Sequence, residues 1–446
     1  MKSTKSKAQL LRSIKRKKIA LAVVEVLVAV VVIMCGVIAL VPSVRSQAAE
    51  TLAKSSFGKK VISMFAKEKF DNTIYDSEFD DSVIEVNEEM EYNYSQEYTE
   101  FIMFGIDSRD STFDAGTNSD SMVIVSVHNT TGEVNMVSIY RDSYLRIYAP
   151  DGSYYLNKLN SAYSKGGAAG AINSINKNLD LQIKDYVTVN FSGVAEIIDS
   201  LGGIEVNLTD EEVQQLNKHL KSTLSSTGEY SPKVTSSGKN IHLNGLQATT
   251  YCRIRKTTFY DPETGNKIND DFGRAARQRL VVMKLVEKAR KAGMAELQEM
   301  INTVLSSSTQ GQDQIVKTSF SIDEMVEMLP IIFKFKLGES SGFPRKLTTK
   351  KINGADVVLP KGHSRNVKIL HKFLYGEKDY VPTATVEEIN NDIKYQTGVD
   401  NDGGDDNVDD TVLTATVTEK ESEPVLNTNV EDMDFDYDDK GKSDFY

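Results

Sequence analysis

The sequence predicts a mixed α/β fold in which helices flank a central mixed sheet, preceded by a transmembrane helix and followed by a disordered acidic tail. Three observations support this prediction. From about residue 101, short apolar runs of strand length alternate with helical patterns. Residues 19–41 form an apolar run that contains a single charge. After residue 382, apolar residues thin out and acidic clusters dominate.

The N-terminal apolar run is predicted to cross a membrane. Its 23 residues would extend roughly 34 Å as a helix, which is enough for a bilayer. Residues 1–18 carry eight basic side chains and no acidic one. The positive-inside rule therefore predicts a cytoplasmic N-terminus, with the chain beyond about residue 42 outside the cell membrane. A cleaved signal peptide is the alternative, but its apolar core usually has only about 7 to 15 residues.

Composition excludes several classes of function. The net charge of the 446 residues is −12, and the stretch between the basic N-terminus and the acidic tail is mildly acidic, so a nucleic-acid partner is not expected. Two cysteines and five dispersed histidines support neither a disulfide scaffold nor a histidine-rich metal centre. P-loop, GxGxxG and GxSxG patterns are absent from the sequence, which removes the usual support for nucleotide hydrolysis, dinucleotide redox and serine-hydrolase chemistry.

The elements of the body follow from periodicity and turn signals. Residues 42–100 are predicted to be a stalk and acidic spacer, residues 101–381 the folded domain, and residues 382–446 a disordered tail. Asp271 is expected to cap a long helix that ends near residue 292. Strands are predicted at 101–105, 121–128, 134–140, 186–191 and 204–208, helices at 166–179 and 192–203, and a loop at 222–240.

Charged residues follow or open three of the predicted strands. GIDSRD occupies 105–110, NSD 118–120 and YRD 140–142. Ligand sites of α/β sheets lie at such strand ends. Carboxylates without histidines suit a hard cation such as Mg²⁺, although carboxylates that only cap turns would give the same pattern. The candidates are Asp107, Asp120, Asp142, Arg109 and Arg141.

Further cations appear in three later segments. Arg253 and Arg255 are two residues apart, which on a strand places them on one face. Arg274, Arg277 and Gln278 have the i, i+3, i+4 spacing of one helical face. Lys158 precedes a Gly-Gly helix start, which is another possible anion contact. Guanidinium groups that converge in one domain fit phosphate or pyrophosphate, whereas an ordinary solvated face is the alternative interpretation.

These segments together resemble the LytR-CpsA-Psr family of cell-wall glycopolymer ligases. The resemblance covers about 280 residues, nearly all of the predicted folded part. The matching segments are GIDSR, the SD of NSD, SIYRD (138–142), KLNSAYSKGG (158–167), VNFSGVAEIIDSLGGIEV (189–206), LNGLQATTYCRIRK (243–256) and DFGRAARQR (271–279).

The resemblance implies an enzyme that transfers a glycopolymer phosphate from a polyprenyl pyrophosphate carrier to peptidoglycan. It implies that Asp107 and Asp120 hold Mg²⁺, and that the lipid lies in an apolar tunnel whose lining the sequence does not identify. Arg141 and either Asp107 or Asp142 are the expected catalytic residues, with one of the two carboxylates accepting the hydroxyl proton. Pyrophosphate contacts are implied for Arg141, Lys158, Arg253, Arg255, Arg274, Arg277 and Gln278.

Three departures from the family pattern lie near this site. Asn118 stands where family members usually have arginine, Tyr140 replaces the usual proline before Arg-Asp, and the loop at 257–269 is longer than expected. Two alternative functions use the same residues: a hydrolase of polyprenyl pyrophosphates, and a non-catalytic scaffold that binds lipid or polymer. A membrane-tethered transcription regulator would have only 18 cytoplasmic residues with which to contact DNA.

Overall fold

The computed structural model describes residues 74–400 except for 91–93, 107–112, 114–115, 228–229, 262–264, 266, 292–314, 322–323 and 325–334. The predicted membrane span at 19–41, the first part of the spacer and residues 401–446 lie outside the described residues. In the described ranges, no helix combines the length and apolar character needed to cross a membrane.

The strands and helices are numbered separately in chain order. The strands are β1 (Tyr98–Ile106), β2 (Ser119–His128), β3 (Glu133–Ile139), β4 (Tyr144–Tyr148), β5 (Tyr154–Lys158), β6 (Asp185–Val189), β7 (Ile204–Leu208), β8 (Gly238–Leu243), β9 (Phe259–Tyr260), β10 (Lys267–Ile268), β11 (Val316–Thr318), β12 (Lys336–Phe343), β13 (Leu347–Ile352) and β14 (Ala355–Pro360). The helices are α1 (Ser161–Leu179), α2 (Phe191–Ser200), α3 (Asp210–Thr227), α4 (Gly245–Tyr251), α5 (Asp270–Lys291), α6 (His363–Tyr375) and α7 (Ala384–Thr397).

Six of the strands form one mixed sheet in the order β11-β6-β1-β2-β3-β12. The pairs β1–β2 and β2–β3 are antiparallel, whereas β1–β6 and β3–β12 are parallel. The predicted central mixed sheet is therefore confirmed. All five strands predicted in the body are present within a few residues of their expected bounds.

Side chains alternate between the two faces of the sheet, and helices cover both. Ile102 and Phe104 point into a core that includes side chains of α1, α6 and α7. Val123 and Val125 belong to the opposite core, where Met283 of α5 packs. Because the central strands β1 and β2 have apolar residues on both faces, burial on both sides fixes the register of the sheet.

The domain begins earlier than predicted, because part of the expected solvated spacer is folded. The amide of Thr318 in β11 donates to the carbonyl oxygen of Ile74, and the amide of Asp76 donates back to Thr318, at 2.9 and 2.8 Å. Asn87 is buried and donates to the carboxylate of Asp180 at 2.6 Å. The sequence prediction missed this folded part because the stretch is acidic overall, and only a few of its residues pair with distant partners.

The domain also ends later than predicted, since α7 lies inside the expected disordered tail. Val386, Ile389 and Ile393 are buried on one face of this helix and join the main core. Asp180 accepts hydrogen bonds from the amide and the hydroxyl of Thr383 at 2.9 and 2.7 Å, which fixes the start of α7. The tail prediction from residue 382 was wrong for this segment because overall acidity outweighed a narrow apolar stripe.

Two helix boundaries also differ from the sequence prediction. The loop expected from residue 222 begins later, because α3 continues to Thr227, and its own Leu220 and Thr223 are buried. Helix α1 begins at Ser161 rather than 166, and non-helical backbone at Gly166 and Gly167 kinks it. Gly167 has φ = 60°, a left-handed conformation that glycine adopts without strain.

Candidate active site

The polar segments singled out in the sequence meet at one edge of the central sheet. Strand β1 ends at Ile106, β2 begins at Ser119 and β3 ends at Ile139. Because β2 is antiparallel to both neighbours, its first residues lie beside the last residues of β1 and β3. Asp120 is therefore next to the segment that follows β3. Asp107 and Arg109, which follow β1 in the chain, lie outside the described residues.

Arg141 is surrounded by carboxylates. Its Nη1 lies 2.5 Å from Oδ1 of Asp120, and its Nε lies 3.9 Å from Oδ2 of both Asp142 and Asp271. Burial by itself lowers the pKa of Arg141, but the charges of these three neighbours outweigh it, and the pKa lies above its ordinary value. The guanidinium is therefore permanently charged and held by short-range ion pairs.

Lys158 joins this group through the β4–β5 hairpin. Its Nζ lies 2.9 Å from Oδ1 of Asp142. The hairpin pairs Tyr144 with Lys158, so a strand that begins two residues after Asp142 fixes the position of the lysine. This contact brings together two predicted site residues that are 16 positions apart in the chain.

Asp271 is a site residue that the sequence analysis missed. It was expected only to cap a helix, but it lies in the first turn of α5. Its Oδ1 is 3.0 Å from Nη2 of Arg274 and 3.5 Å from Nε of Arg255, while its Oδ2 faces Arg141. One carboxylate thus holds three guanidinium groups from three segments. The i, i+3 spacing of Asp271 and Arg274 was the available signal.

Arg274 is the most deeply buried cation at the edge of the sheet, with 5 % exposure. Burial lowers its pKa to about 10, Asp271 opposes the shift, and the nearby charges of Arg141 and Arg255 add to it. The Nε atoms of Arg274 and Arg141 are buried and make no hydrogen bond with any described residue. Buried donors of this kind normally have an acceptor, so both atoms can donate to a further acceptor.

The Arg253 and Arg255 segment is not a strand, which corrects the prediction. Helix α4 ends at Tyr251, and both arginines lie in the turn that follows. Nη1 of Arg253 donates to Oγ1 of Thr223 at 2.9 Å, and its guanidinium carbon lies 4.7 Å from the centre of the Phe191 ring. Both arginines nevertheless line the same cavity, because the turn rather than strand alternation directs them there.

Arg277 does not line this cavity and has a different environment from its neighbours on α5. It is 0 % exposed. Its Nε and Nη2 donate to Oε1 of Glu212 at 2.9 and 2.8 Å, and Nη2 also donates to Oγ1 of Thr257 at 2.7 Å. Arg274 and Gln278, one helical turn apart, do line the cavity. We therefore assign Arg277 to the interior of the domain, where it joins α5 to α3 and the turn after Arg255.

The cavity runs from this charged edge along the face of the sheet. Its volume is about 640 Å³, within the range of small-molecule sites, about 300 to 1,000 Å³. The sheet, α2 and α5 supply its apolar walls through Met103, Val123, Val187, Val189, Phe191, Val194, Ile197, Val281, Val282 and Leu285. Asp120, Arg253, Arg255, Lys256, Arg274 and Gln278 supply polar groups. The sequence had not identified these apolar residues.

The donor set at the edge suits a hard cation better than a soft one. Asp120 offers a carboxylate that is 32 % exposed and borders the cavity. Within the described residues there is no group of three histidine, cysteine or acidic side chains placed to hold a metal ion. Mg²⁺ usually takes only one or two protein carboxylates and completes its shell with water and phosphate oxygens, so Asp120 with Asp107 fits that requirement by residue type.

Comparison with protein families gives a match over most of the described domain. The model of the LytR_cpsA_psr family matches residues 61–329. Among curated relatives, a polyisoprenyl-teichoic acid–peptidoglycan teichoic acid transferase TagU of Enterococcus faecalis is 32 % identical over 224 residues, covering 50 % of this chain and 62 % of the relative. TagV of Bacillus subtilis, with the same transferase description, is 27 % identical over 272 residues, covering 59 % and 61 %.

The similarity does not extend over the whole of these relatives. Biofilm regulatory protein A of Streptococcus mutans is 34 % identical over 194 residues, which is 42 % of this chain and 43 % of the relative. The chain thus spans about two fifths to two thirds of the length of the curated relatives it matches. Among solved structures, B. subtilis TagV aligns with a TM-score of 0.47 and 24 % identity, covering 64 % of this chain and 99 % of TagV.

Proposed function

The chain belongs to the LytR_cpsA_psr family, and from this premise we propose that it is a phosphotransferase that moves a glycopolymer from a polyprenyl pyrophosphate carrier to peptidoglycan. Relatives described as teichoic acid transferases support the reaction class. Wall teichoic acid, capsule and similar secondary polymers are the candidate cargo.

One observation carries the proposal. Buried guanidinium groups with unused donors lie at one edge of the sheet, and an apolar cavity of about 640 Å³ begins there. A polyprenyl pyrophosphate has two parts that match these two features. Its head is a compact polyanion that suits the guanidinium groups, and its tail is a hydrocarbon that suits the apolar cavity. Planar guanidinium forks bind phosphoryl oxygens with two donors each, and apolar walls favour burial of the tail.

The residues of the edge suggest how the transfer proceeds. A peptidoglycan hydroxyl attacks the sugar-linked phosphorus, a new phosphorus–oxygen bond forms, and the bond to the bridging oxygen breaks. Polyprenyl phosphate leaves with the electron pair of that bond. Arg141, Arg255 and Arg274 neutralise the charge that grows on the leaving phosphate. Asp142, held by Lys158 at 2.9 Å, and Asp107 are the two candidates to accept the hydroxyl proton.

We also propose that Asp120 and Asp107 hold Mg²⁺, which as a Lewis acid would polarise phosphoryl oxygens. In the described structure Asp120 binds Arg141 at 2.5 Å. An incoming pyrophosphate would offer Arg141 new acceptors. The carboxylate of Asp120 would then contact both the arginine and the cation. The role of Asp120 in this proposal is to position both.

The location of the reaction is part of the same proposal. We place residues 19–41 across the cell membrane with the N-terminus in the cytoplasm and the domain outside. Support comes from the apolar run and from the eight basic side chains before it. A membrane anchor keeps the cavity near a carrier lipid that itself resides in the bilayer.

The purified full-length chain in detergent tests the function directly. Polyprenyl pyrophosphate carrying a labelled sugar is offered with peptidoglycan fragments, with Mg²⁺ present or chelated. Label that moves to peptidoglycan only with acceptor and Mg²⁺ supports a ligase. Release of free labelled glycan without acceptor would instead establish a hydrolase, and tight carrier binding without turnover would establish a scaffold.

A further inference from the structure

Positive charge is concentrated in the last third of the domain. Residues 345–372 contain eight basic side chains and one acidic one, while the whole chain has a net charge of −12. This stretch comprises the β13–β14 hairpin and α6. Its one acidic residue, Asp356, lies opposite Lys351 in the hairpin.

Contacts within the stretch join the base of the hairpin to α6, so the cations of the two elements lie in neighbouring parts of the domain. The guanidinium carbon of Arg345 lies 5.8 Å from the centre of the Phe373 ring in α6. The backbone of Lys346 accepts from the amide of Lys361 at 2.8 Å, which joins the hairpin base to the start of α6. We call this the basic surface, and define it by Arg345, Lys346, Lys351, Lys361, Lys368 and Lys372, of which Lys351 and Lys368 are exposed.

The chain leaves the described domain beside this surface. Helix α7 ends at Thr397, whose carbonyl oxygen accepts a hydrogen bond from Nζ of Lys350 at 2.8 Å. Val399 packs against the small apolar cluster formed by Val357 and Leu359 of the hairpin and Tyr144 of β4. The described chain therefore ends beside the β13–β14 hairpin.

The sequence that follows has the complementary charge. Residues 401–446 contain fifteen acidic and three basic side chains, and five aspartates fall within residues 402–410. Nine residues of extended chain reach about 30 Å, enough to follow the hairpin from tip to base and continue over α6. A tether this short gives an effective concentration of about millimolar order.

We propose that the acidic segment 401–446 docks on the basic surface of its own chain. The attraction is intramolecular and electrostatic, so it needs no fixed secondary structure in the segment. It also covers the exposed side chains of Lys351 and Lys368, which a foreign polyanion would otherwise meet. Strand β14 contacts the active site directly, because the amide of Val358 donates to the carbonyl oxygen of Asp142 at 2.8 Å. Docking thus places a shielding negative charge near the site where an anionic polymer would be handled.

Zero-length carbodiimide cross-linking of the full-length chain tests the docking, with peptide mapping by mass spectrometry. We expect cross-links from carboxylates of 401–446 to Lys351 and Lys368, and a loss of about fivefold in 1 M salt, where the Debye length is about 3 Å. The double variant Lys351→Glu, Lys368→Glu should lose the cross-links to the remaining lysines of the basic surface. The matched control Lys233→Glu, Lys239→Glu, in exposed positions elsewhere, should keep them. Absence of these cross-links, or equal loss in the control, overturns the proposal.

Inorganic polyphosphate provides a second, independent readout. In the full-length chain, five aspartates are replaced by asparagine at positions 402, 405, 406, 409 and 410. If the segment covers the basic surface, this variant should bind polyphosphate roughly tenfold more tightly at low salt. Adding Lys351→Glu and Lys368→Glu should remove the gain. An unchanged affinity, or a gain that survives the lysine substitutions, shows that the segment does not occupy this surface. Neither experiment depends on the transferase activity.

Discussion

The phenolic hydroxyl of Tyr140 fills the space directly above Gly342: a Cβ at position 342 would lie 2.0 Å from that oxygen. Tyr140 immediately precedes Arg141, and its ring packs edge-on against Phe272 of α5 at 4.6 Å. Its amide also donates to the carbonyl oxygen of Phe343 at 3.0 Å. Tyr140 is therefore accommodated by a glycine on the neighbouring strand, and it positions Arg141.

Gly342→Ala should disturb this position. The added methyl displaces Tyr140, and overpacking of this kind costs about 1 to 3 kcal/mol. We expect lower transfer activity and a lower free energy of unfolding, measured by urea denaturation. Gly170→Ala is the control, because its Cβ would meet no atom closer than 3.6 Å. In a Tyr140→Pro background, Gly342→Ala should lower the free energy of unfolding much less. An equal loss in both backgrounds would contradict the pairing of Tyr140 with Gly342.

Arg141→Ala should lower the turnover of the proposed transfer by at least about tenfold, since removal of one preorganised donor at a developing charge commonly costs more than that. Steady-state transfer of labelled glycan measures the effect, and circular dichroism checks that the domain stays folded. Lys239→Ala removes an exposed cation that does not line the cavity, and it should leave turnover unchanged. Near-normal turnover of the Arg141 variant would remove this residue from the catalytic set.

Asp120→Asn should weaken the dependence of transfer on Mg²⁺. An amide oxygen is a poorer ligand for a hard cation than a carboxylate, and the substitution also removes the charge that pairs with Arg141 at 2.5 Å. A titration of transfer rate against Mg²⁺ should shift to higher concentration by about tenfold. The same half-saturating concentration as in the parent chain would argue against Asp120 as a ligand.

Arg277→Ala should act on stability, in contrast to Arg274→Ala. Removing Arg277 leaves the buried carboxylate of Glu212 without its partner, which typically costs about 3 to 5 kcal/mol. The double variant Arg277→Met, Glu212→Gln removes both charges and should recover most of that loss in urea denaturation. For Arg274→Ala we expect weaker carrier binding with a smaller loss of stability. If the double variant is as unstable as the single one, the ion pair is not the cause.

Two buried histidines should make the fold sensitive to acid. Nε2 of His363 and of His371 lies 2.8 and 3.0 Å from the carbonyl oxygens of Asn178 and Leu179, at the end of α1. Neither Nδ1 has a hydrogen-bond partner in the described structure. Burial lowers the pKa of both imidazoles to about 4, and the hydrogen bond to the backbone carbonyl only partly opposes this shift.

The sign of the effect follows from these lowered pKa values. At pH values well above about 6.5, both states hold neutral imidazoles, so the full stability is present. As the pH falls from about 6.5 to 4, the unfolded chain binds protons that the folded one excludes, and stability is lost. The free energy of unfolding, measured by urea denaturation at several pH values, should fall across this window. His371→Gln should make the fall less steep, and an unchanged slope would contradict the assignment.

The sequence by itself determined the strands, because apolar residues that recur at a fixed period report which faces are buried without knowledge of the partners. It also determined the order of the polar segments along the chain, and with them the family. The residue types of the site were also predictable, because local signals in the sequence mark their positions. Asp120, Arg141 and Lys158 each follow a local signal, namely the end of a strand or the approach to a Gly-Gly pair.

Only the tertiary structure decided which of those residues lie together at the site. Arg274 and Arg277 have the same chemistry and lie three positions apart, yet one borders the cavity and the other is paired with Glu212 in the interior. Asp271 became a site residue because α5 brings it to Arg141 and Arg255. The cavity walls and α7 were missed for a related reason. Packing between segments far apart in the chain sets burial and ion pairing, and such contacts have no local period from which a sequence can be interpreted.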